Sequence, residues 1–138
     1  MPTEGGCLCG EIRIAYSGEP IFTSVCYCDD CRKMANTQVF QILKTNFEVT
    51  QGEPKIYTKR SDHGNEIHSH FCPNCGTTLF RTGGAAVNKN NVGIRAGVLD
   101  DQTMVDSPPT VEVYVEKRPP WIKAIDGAVQ LNSRYERI

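Results

Sequence analysis

Hydrophobic side chains recur at every second position through much of this chain. A period of two is typical of strands that bury one face and expose the other. The clearest alternations are Ile12-Ile14-Tyr16, Val92-Ile94-Ala96 and Val111-Val113-Val115. Shorter segments at 39–43, 47–50, 55–58, 66–71 and 78–81 are further strand candidates. Gly and Pro separate these segments, as turn residues do, so the pattern predicts about eight short strands.

Helical patterns are nearly absent, and the best short helix candidate covers residues 29–36, beside a group of cysteines. Many short strands and one short helix predict a mainly-β domain, and no linker divides residues 1–138. The segment from Pro119 onward is less regular, and we expect it to wrap the sheet with Trp121 as a core anchor.

Charge narrows the classes of partner. The 138 residues include 15 Lys and Arg against 16 Asp and Glu, a net charge of −1. This balance argues against binding to nucleic acid or to an anionic membrane surface. The first residues, Met-Pro-Thr-Glu-Gly-Gly, show no secretory signal, and no apolar run approaches about 18 residues. We therefore expect a soluble, cytoplasmic protein.

Cysteine is the residue type that changes this picture. The chain has seven cysteines, at positions 7, 9, 26, 28, 31, 72 and 75. An odd number leaves one thiol outside any closed disulfide framework, and disulfides are rare in a reducing compartment. Clustered cysteines in such a chain are more typical of metal ligands than of a disulfide scaffold.

Two cysteine pairs are candidates for one closed site. Cys72-Pro-Asn-Cys75-Gly has the sequence of a zinc knuckle, in which Pro and Gly let two thiolates converge. Cys7 and Cys9 are two residues apart and share one face if the chain there is extended. Together they would make a structural zinc site with four thiolates.

The remaining cysteines, Cys26, Cys28 and Cys31, lie within six residues. Three ligands with an open fourth position are the arrangement of a catalytic zinc, which acts as a Lewis acid or activates a bound water or thiol. A fourth protein ligand would instead make this a second structural site. Its candidates are His63, His68, His70 and Asp29. Spacing also allows a zinc ribbon of Cys28, Cys31, Cys72 and Cys75, which leaves Cys7, Cys9 and Cys26 over.

Other polar residues are weaker candidates. Arg32 and Lys33 follow the three-cysteine motif and could bind a carboxylate of a peptide-like thiol such as glutathione, as Arg60 and Arg95 could more weakly. For the remaining polar candidates we favour non-functional roles. We expect His68 and His70 on a solvent-facing strand side, His63 in a polar loop, and Asp100 and Asp101 in a turn.

Several motifs together resemble a known family. In chain order they are Gly6-Cys-Leu-Cys-Gly10, Cys26-x-Cys-x-x-Cys31-Arg-Lys33, Phe71-Cys-x-x-Cys-Gly76, Gly97-x-x-Asp-Asp101 and a Pro–strand–Trp121 tail. Their order, over about residues 5–127, resembles the glutathione-dependent formaldehyde-activating enzyme family, also called the GFA/CENP-V domain. Two positions depart from that family's usual pattern, since Tyr27 and Glu112 stand where a His is common.

The resemblance implies a fold and a chemistry. It implies a β-tent (Mss4-like) fold of packed antiparallel sheets, with a structural zinc on Cys7, Cys9, Cys72 and Cys75. It implies a second, labile zinc on Cys26, Cys28 and Cys31, proposed as catalytic. The implied activity is that of a carbon–sulfur lyase, with a small thiol such as glutathione and an aldehyde such as formaldehyde as partners. A non-catalytic, zinc-stabilised binding or scaffold module is the alternative function.

Overall fold

A computed structural model describes residues 2–35 and 37–138. Within these residues the chain forms a mainly-β fold of two sheets with one short α-helix, α1 (Asp29–Lys33), so the predicted fold class is confirmed. The last residue of the predicted helix, Asn36, lies outside the described residues. The strands are β1 (Thr3–Gly6), β2 (Arg13–Tyr16), β3 (Phe22–Cys26), β4 (Val39–Leu43), β5 (Phe47–Gln51), β6 (Lys55–Arg60), β7 (Glu66–Phe71), β8 (Thr78–Gly83), β9 (Asn91–Arg95), β10 (Val111–Val113) and β11 (Val129–Gln130).

The two sheets differ in size and pairing. The smaller is antiparallel, with strand order β1-β2-β5, and the larger has the order β11-β10-β3-β4-β9-β8-β7-β6. The larger sheet is antiparallel except at one edge, where β10 runs parallel to both β3 and β11. A parallel pair needs a crossover rather than a hairpin, and residues 114–128 supply one between β10 and β11.

The core lies between the sheets. Strand pairing puts Phe40 beside Ile94 and Ile42 beside Val92 on one face of the larger sheet. These side chains pack with residues of β2 such as Ile14, and each buried side chain of this size contributes about 1.5–3 kcal/mol. Side chains alternate across a strand, so the residues between them point to the opposite face. The larger sheet therefore has the core on one face and, on its other face, the side chains that alternate with those of the core.

Burial corrects the expectation of half-exposed strands. All five residues of β9 are buried, because it lies centrally in the larger sheet and both of its faces are covered. On β10 the polar position of the alternation, Glu112, is 0% exposed. The period of two identified these strands correctly, but it did not reveal that their polar positions are enclosed.

The last part of the chain contains a second correction. Trp121, expected as a core anchor, is 82% exposed. The segment after residue 118 is mostly irregular and joins the larger sheet through β11. No helix in the described part of the chain is long and apolar enough to cross a membrane.

Candidate metal centres

The first group of thiols brings together two distant parts of the chain. Cys7 and Cys9 follow β1, whereas Cys72 and Cys75 belong to the turn between β7 and β8. The four Sγ atoms lie within 4.8 Å of one another, with Cys7–Cys9 at 3.6 Å and Cys9–Cys72 at 3.7 Å. Tetrahedral zinc binds sulfur at about 2.3 Å, which separates neighbouring sulfurs by about 3.8 Å. This group, the closed cluster, therefore fits a four-thiolate zinc.

Backbone groups hold the thiols of the closed cluster in place. The Ile12 amide donates to Cys7 Sγ at 3.2 Å, and the Cys75 amide donates to Cys72 Sγ at 3.4 Å. Gly76 has a φ of +78°, a left-handed conformation that glycine adopts without strain and that completes the knuckle turn. Amide donors of this kind orient metal ligands and stabilise their negative charge.

The second group, the open cluster, contains Cys26, Cys28 and Cys31, whose Sγ atoms also lie within 4.8 Å of one another. Cys26 ends β3, and Cys31 lies within α1. Cys28 is the N-cap of α1, and its sulfur accepts from the Cys31 amide at 3.4 Å. In the described residues no His, Asp, Glu or further Cys joins this group, so the chain supplies three ligands.

The grouping overturns two alternatives. The ribbon of Cys28, Cys31, Cys72 and Cys75 is wrong, because Cys72 and Cys75 lie with Cys7 and Cys9. All seven cysteines are free thiols, so there is no disulfide scaffold. Spacing alone could not decide whether the pair Cys28/Cys31 shares a site with the pair Cys72/Cys75, since both are Cys-x-x-Cys motifs. The tertiary contacts show that the two pairs belong to different clusters.

None of the proposed fourth ligands joins the open cluster. His68 and His70 are on the core face of β7, where His70 stacks on Phe80 at 4.2 Å between ring centroids. The solvent-facing interpretation of this pair is therefore wrong as well, since both are partly buried. Asp29 pairs with Lys117 at 3.0 Å. His63 lies near the open cluster without joining it.

A cavity of about 430 Å³ adjoins the open cluster on the face of the larger sheet that lies opposite the core. Its lining includes all three thiols of the cluster together with Ser24, Gln41 and Arg95. Cys26 faces the cavity because it shares one side of β3 with Ser24. The volume is in the range of small-molecule sites.

Loops from distant parts of the chain form the rim of this cavity. Tyr114 donates its hydroxyl to Asp62 Oδ2 at 2.8 Å. The rings of His63 and Tyr135 lie 5.4 Å apart between centroids. These two contacts join the β6–β7 hairpin loop to the C-terminal third of the chain, so the cavity is enclosed by tertiary structure rather than by one local motif.

Arg95 is the charged side chain in contact with the sulfur of Cys31 in the open cluster. Its guanidinium is buried, with Nη2 at 3.7 Å and Nη1 at 3.9 Å from Cys31 Sγ. The pKa of the Cys31 thiol is held far below its ordinary value, chiefly by hydrogen bonds from Cys26 and Cys28 and further by the charge of Arg95, although burial opposes this. Hydrogen bonds with Cys28 and Cys31 raise the pKa of Cys26. Within the cluster, the thiolate form is therefore favoured at Cys31 over Cys26.

Ion pairs fix α1 against the larger sheet. Asp30, between Cys28 and Cys31, accepts from Lys59 Nζ at 2.8 Å and from Arg81 Nη2 at 3.2 Å. Burial raises the pKa of the Asp30 carboxyl, but these two cations outweigh it and hold the pKa below its usual range. The ion pairs of Asp30 with Lys59 and Arg81 therefore help to hold α1, and with it Cys28 and Cys31, against the larger sheet.

The two departures from the family pattern contact each other. The Tyr27 hydroxyl donates to Glu112 Oε1 at 2.5 Å. Glu112 also accepts from the Ile125 amide at 2.8 Å and from Gln130 Nε2 at 2.7 Å. Neither Tyr27 nor Glu112 lines the cavity, so the pair fixes the C-terminal segment to β10 instead of meeting a ligand.

Most of the other candidates lie away from the cavity. Arg32 and Lys33 are exposed and absent from its lining, and Arg32 pairs with Asp29 at 3.5 Å. Arg60 donates to the Gly64 carbonyl. Asp101 caps a turn of 3-10 helix by accepting from the Thr103 amide, and Asp100 pairs with Arg13, so neither is part of a catalytic carboxylate pair.

Several lining residues were not singled out from the sequence. Gln41, Lys59 and Arg81 line the cavity, as do Tyr114 and Tyr135. For Gln41 a signal exists in retrospect, because it is a polar residue inside an apolar strand, Val-Phe-Gln-Ile-Leu. Arg95, a weaker candidate from the sequence, does line the cavity. A polar side chain in a buried strand needs a partner and is therefore a site candidate.

Comparisons with known proteins identify the family and the fold of the chain. The sequence profile of a family described as "Glutathione-dependent formaldehyde-activating enzyme" matches residues 2–117. No curated protein matches the chain. The crystal structure of a Rhodobacter sphaeroides protein, a structural genomics target, superposes with a TM-score of 0.58 at 19% identity. The match covers 71% of this chain and 88% of that one, and it shows a shared fold.

Proposed function

Because the chain belongs to the glutathione-dependent formaldehyde-activating enzyme family, we propose that it is a zinc-dependent carbon–sulfur lyase. The reaction is the formation or cleavage of a thiol–aldehyde adduct such as S-hydroxymethylglutathione. The observation that carries the proposal is the open cluster, in which three thiols line a cavity of substrate size and the described residues supply no fourth ligand.

The donor sets fit zinc at both clusters. Cys7, Cys9, Cys72 and Cys75 would hold a structural ion, and Cys26, Cys28 and Cys31 would hold the ion at the cavity. A zinc ion at the open cluster supplies Lewis acidity and favours the thiolate form of a thiol. Glutathione or a similar thiol is the co-substrate in this proposal.

The bond changes need few groups from the protein. The thiol loses its proton to solvent, its sulfur forms a bond to the aldehyde carbon, and the carbonyl π electrons move to oxygen, which gains a proton. Cleavage is the reverse. Arg95 provides a buried positive charge beside the open cluster, which would stabilise the negative charge that develops on the carbonyl oxygen. The carboxylate-binding role of Arg32 and Lys33 stays a prediction.

The test combines zinc content with turnover. We expect two zinc ions per chain, falling to one after brief treatment with a mild chelator while the circular dichroism spectrum stays unchanged. Exchange NMR on glutathione and formaldehyde should show adduct formation faster than the protein-free rate, and chelation should remove the excess. Two zinc ions that resist chelation, without turnover, would contradict the enzyme and favour a zinc-stabilised binding module.

A further inference from the structure

The floor of the cavity carries polar atoms that the protein does not satisfy. In residues 2–35 and 37–138, four buried side-chain polar atoms lack a hydrogen-bond partner. Three of them belong to residues that line this one cavity, namely Gln41 Oε1, Asn88 Oδ1 and Arg95 Nε. Unpaired buried polar atoms are costly and uncommon in folded proteins, so their concentration at one cavity indicates a ligand that completes them.

Strand pairing places two of these residues on the same surface. Gln41 pairs with Gly93 and Val39 pairs with Arg95, so Gln41 and Arg95 are diagonal neighbours on adjacent strands. Gln41 is 8% exposed and Arg95 is 6% exposed. A Cβ atom at Gly93 would lie 3.1 Å from Gln41 Nε2 and 3.3 Å from a Val39 methyl group. Glycine therefore leaves room for the Gln41 amide on the cavity floor.

The chemistry of these atoms specifies what the ligand must offer. Gln41 and Asn88 present oxygen acceptors, which need N–H or O–H donors, and Arg95 presents an N–H donor, which needs an acceptor. Since the guanidinium of Arg95 contacts Cys31 Sγ, the acceptor it binds lies close to the open cluster. The ligand donors that Gln41 requires would lie one strand away from that acceptor, because Gln41 is on β4 and Arg95 is on β9. A simple alkyl thiol has no groups at these positions, whereas an amide-bearing thiol does.

We propose that Gln41 and Arg95, with Asn88 beside them, form a specificity subsite that selects an amide-bearing thiol over a simple thiol. The inference rests on the proposed function in one respect, that a thiol occupies the cavity. Arg95 binds an oxygen near the sulfur, and Gln41 pairs with an amide further along the ligand. A thiol without that amide leaves Gln41 buried and unpaired, which is how a polar site rejects an analogue.

The test measures binding of two probes to the zinc-loaded protein by titration calorimetry. Glutathione carries amide groups, and 3-mercaptopropionate is an anionic thiol without them. The variant is Gln41→Met, which keeps the side-chain length and removes the amide. We expect glutathione to bind about tenfold more weakly and 3-mercaptopropionate to bind unchanged, as for loss of one neutral hydrogen bond. Gln38→Met, outside the lining and bonded to the Ser107 carbonyl, is the matched control.

The thermal midpoint separates recognition from structure. The side-chain oxygen of Gln41 has no protein partner to lose among the described residues, so Gln41→Met should melt at the same temperature as the parent protein or higher. Unchanged glutathione affinity in a folded Gln41→Met protein would overturn the proposal. A lower midpoint with equal weakening for both thiols would also overturn it, by assigning Gln41 a structural role.

A second variant and a turnover assay complete the design. Gly93→Ala crowds the Gln41 amide and should weaken glutathione more than 3-mercaptopropionate, and equal weakening would count against the subsite. If glutathione binds through Gln41 but no adduct turnover occurs, the subsite stands and the proposed function fails. If turnover occurs with the same preference in Gln41→Met as in the parent protein, the function stands and the subsite fails. Binding of neither probe to the parent protein would overturn both.

Discussion

The two thiol clusters use the same ligand chemistry in two different structural settings. The closed cluster joins residues 63 or more positions apart, and backbone amides surround its sulfurs. The open cluster comes from one stretch of six residues, adjoins a cavity and contacts a buried guanidinium. The difference in setting is what underlies the proposed roles: a thiol set that closes a long loop suits a structural ion, and a local set at a cavity wall suits a reaction centre.

The supports of the clusters differ in the same way. The closed cluster connects the smaller sheet to the β7–β8 turn, so zinc binding there is coupled to the assembly of both sheets. At the open cluster, α1 is held by ion pairs of Asp30 with side chains of β6 and β8 and of Asp29 with Lys117. Loss of its metal would leave those contacts in place.

The largest expected effect separates the clusters by folding. Cys75→Ser should give insoluble or unfolded protein, because structural zinc supplies folding free energy directly. Soluble yield and a thermal melt with far-ultraviolet circular dichroism measure this. The matched variant is Cys31→Ser, which we expect to fold. A well-folded Cys75→Ser protein would contradict the structural role of the closed cluster.

The second prediction concerns metal content and turnover. Cys31→Ser should retain one zinc per chain in place of two and lose adduct turnover by about 100-fold or more, because the loss of a ligand and its charge weakens the open site. Zinc is measured by atomic absorption and turnover by exchange NMR. Full activity with one zinc per chain would show that the open cluster is not the reaction centre.

The third prediction tests the charge beside the open cluster. Arg95→Met removes the cation that favours the thiolate of Cys31, so zinc affinity at the open cluster should fall about 10–100-fold. The closed cluster should keep its zinc, since Arg95 makes no contact with it. Competition with a coloured zinc chelator measures both sites, and equal loss at both would mean a general loss of structure.

The fourth prediction concerns the segment packed beside the open cluster. Glu112→Gln should reduce the free energy of unfolding by about 1–3 kcal/mol at pH 7, because a buried carboxylate with three donors is replaced by a neutral amide. Burial raises the pKa of Glu112, but the hydrogen bonds outweigh it and hold the pKa below 4.5. A lowered pKa contributes stability above pH 4.5 and loses it as the pH falls through the folded-state value.

The difference between Glu112→Gln and the parent protein should therefore be constant from pH 7 to about pH 5 and then shrink in more acidic solution. Urea unfolding at a series of pH values measures it. The comparison with the parent protein cancels the acid lability expected of the two thiol clusters when they hold zinc, because both proteins share them. A difference that grows on acidification would contradict the assignment of an ionised Glu112.

The smallest expected effect is at the surface. Trp121→Ala should change the free energy of unfolding by no more than about 0.5 kcal/mol, because the side chain is exposed. Zinc content at both clusters should be unchanged. A loss of several kcal/mol by urea unfolding would restore the core-anchor interpretation.

Local patterns in the sequence accounted for many of the elements. Alternation identified strands such as β2 and β9, the candidate segment 39–43 is β4, and the predicted helix 29–36 contains α1. Three strands were missed, including the two-residue β11 in the irregular last segment. The residues of β1, Thr-Glu-Gly-Gly, carry no apolar alternation, and β3, Phe-Thr-Ser-Val-Cys, is interrupted by two hydroxyl side chains. These strands form because neighbours pair with them, which a single-segment pattern does not record.

The cysteine positions by themselves determined that the chain has metal-type clusters and that three thiols form one compact motif, because ligand spacing is a local property. Only the tertiary structure decided that Cys72 and Cys75 share a site with Cys7 and Cys9 and not with Cys28 and Cys31. Cys-x-x-Cys spacing is compatible with either grouping, and long-range contacts select one. The tertiary structure also decided that Gln41 and Arg95 face the cavity while His68 and His70 face the core. That outcome depends on which side of the larger sheet each strand presents, and strand pairing and sheet packing set it.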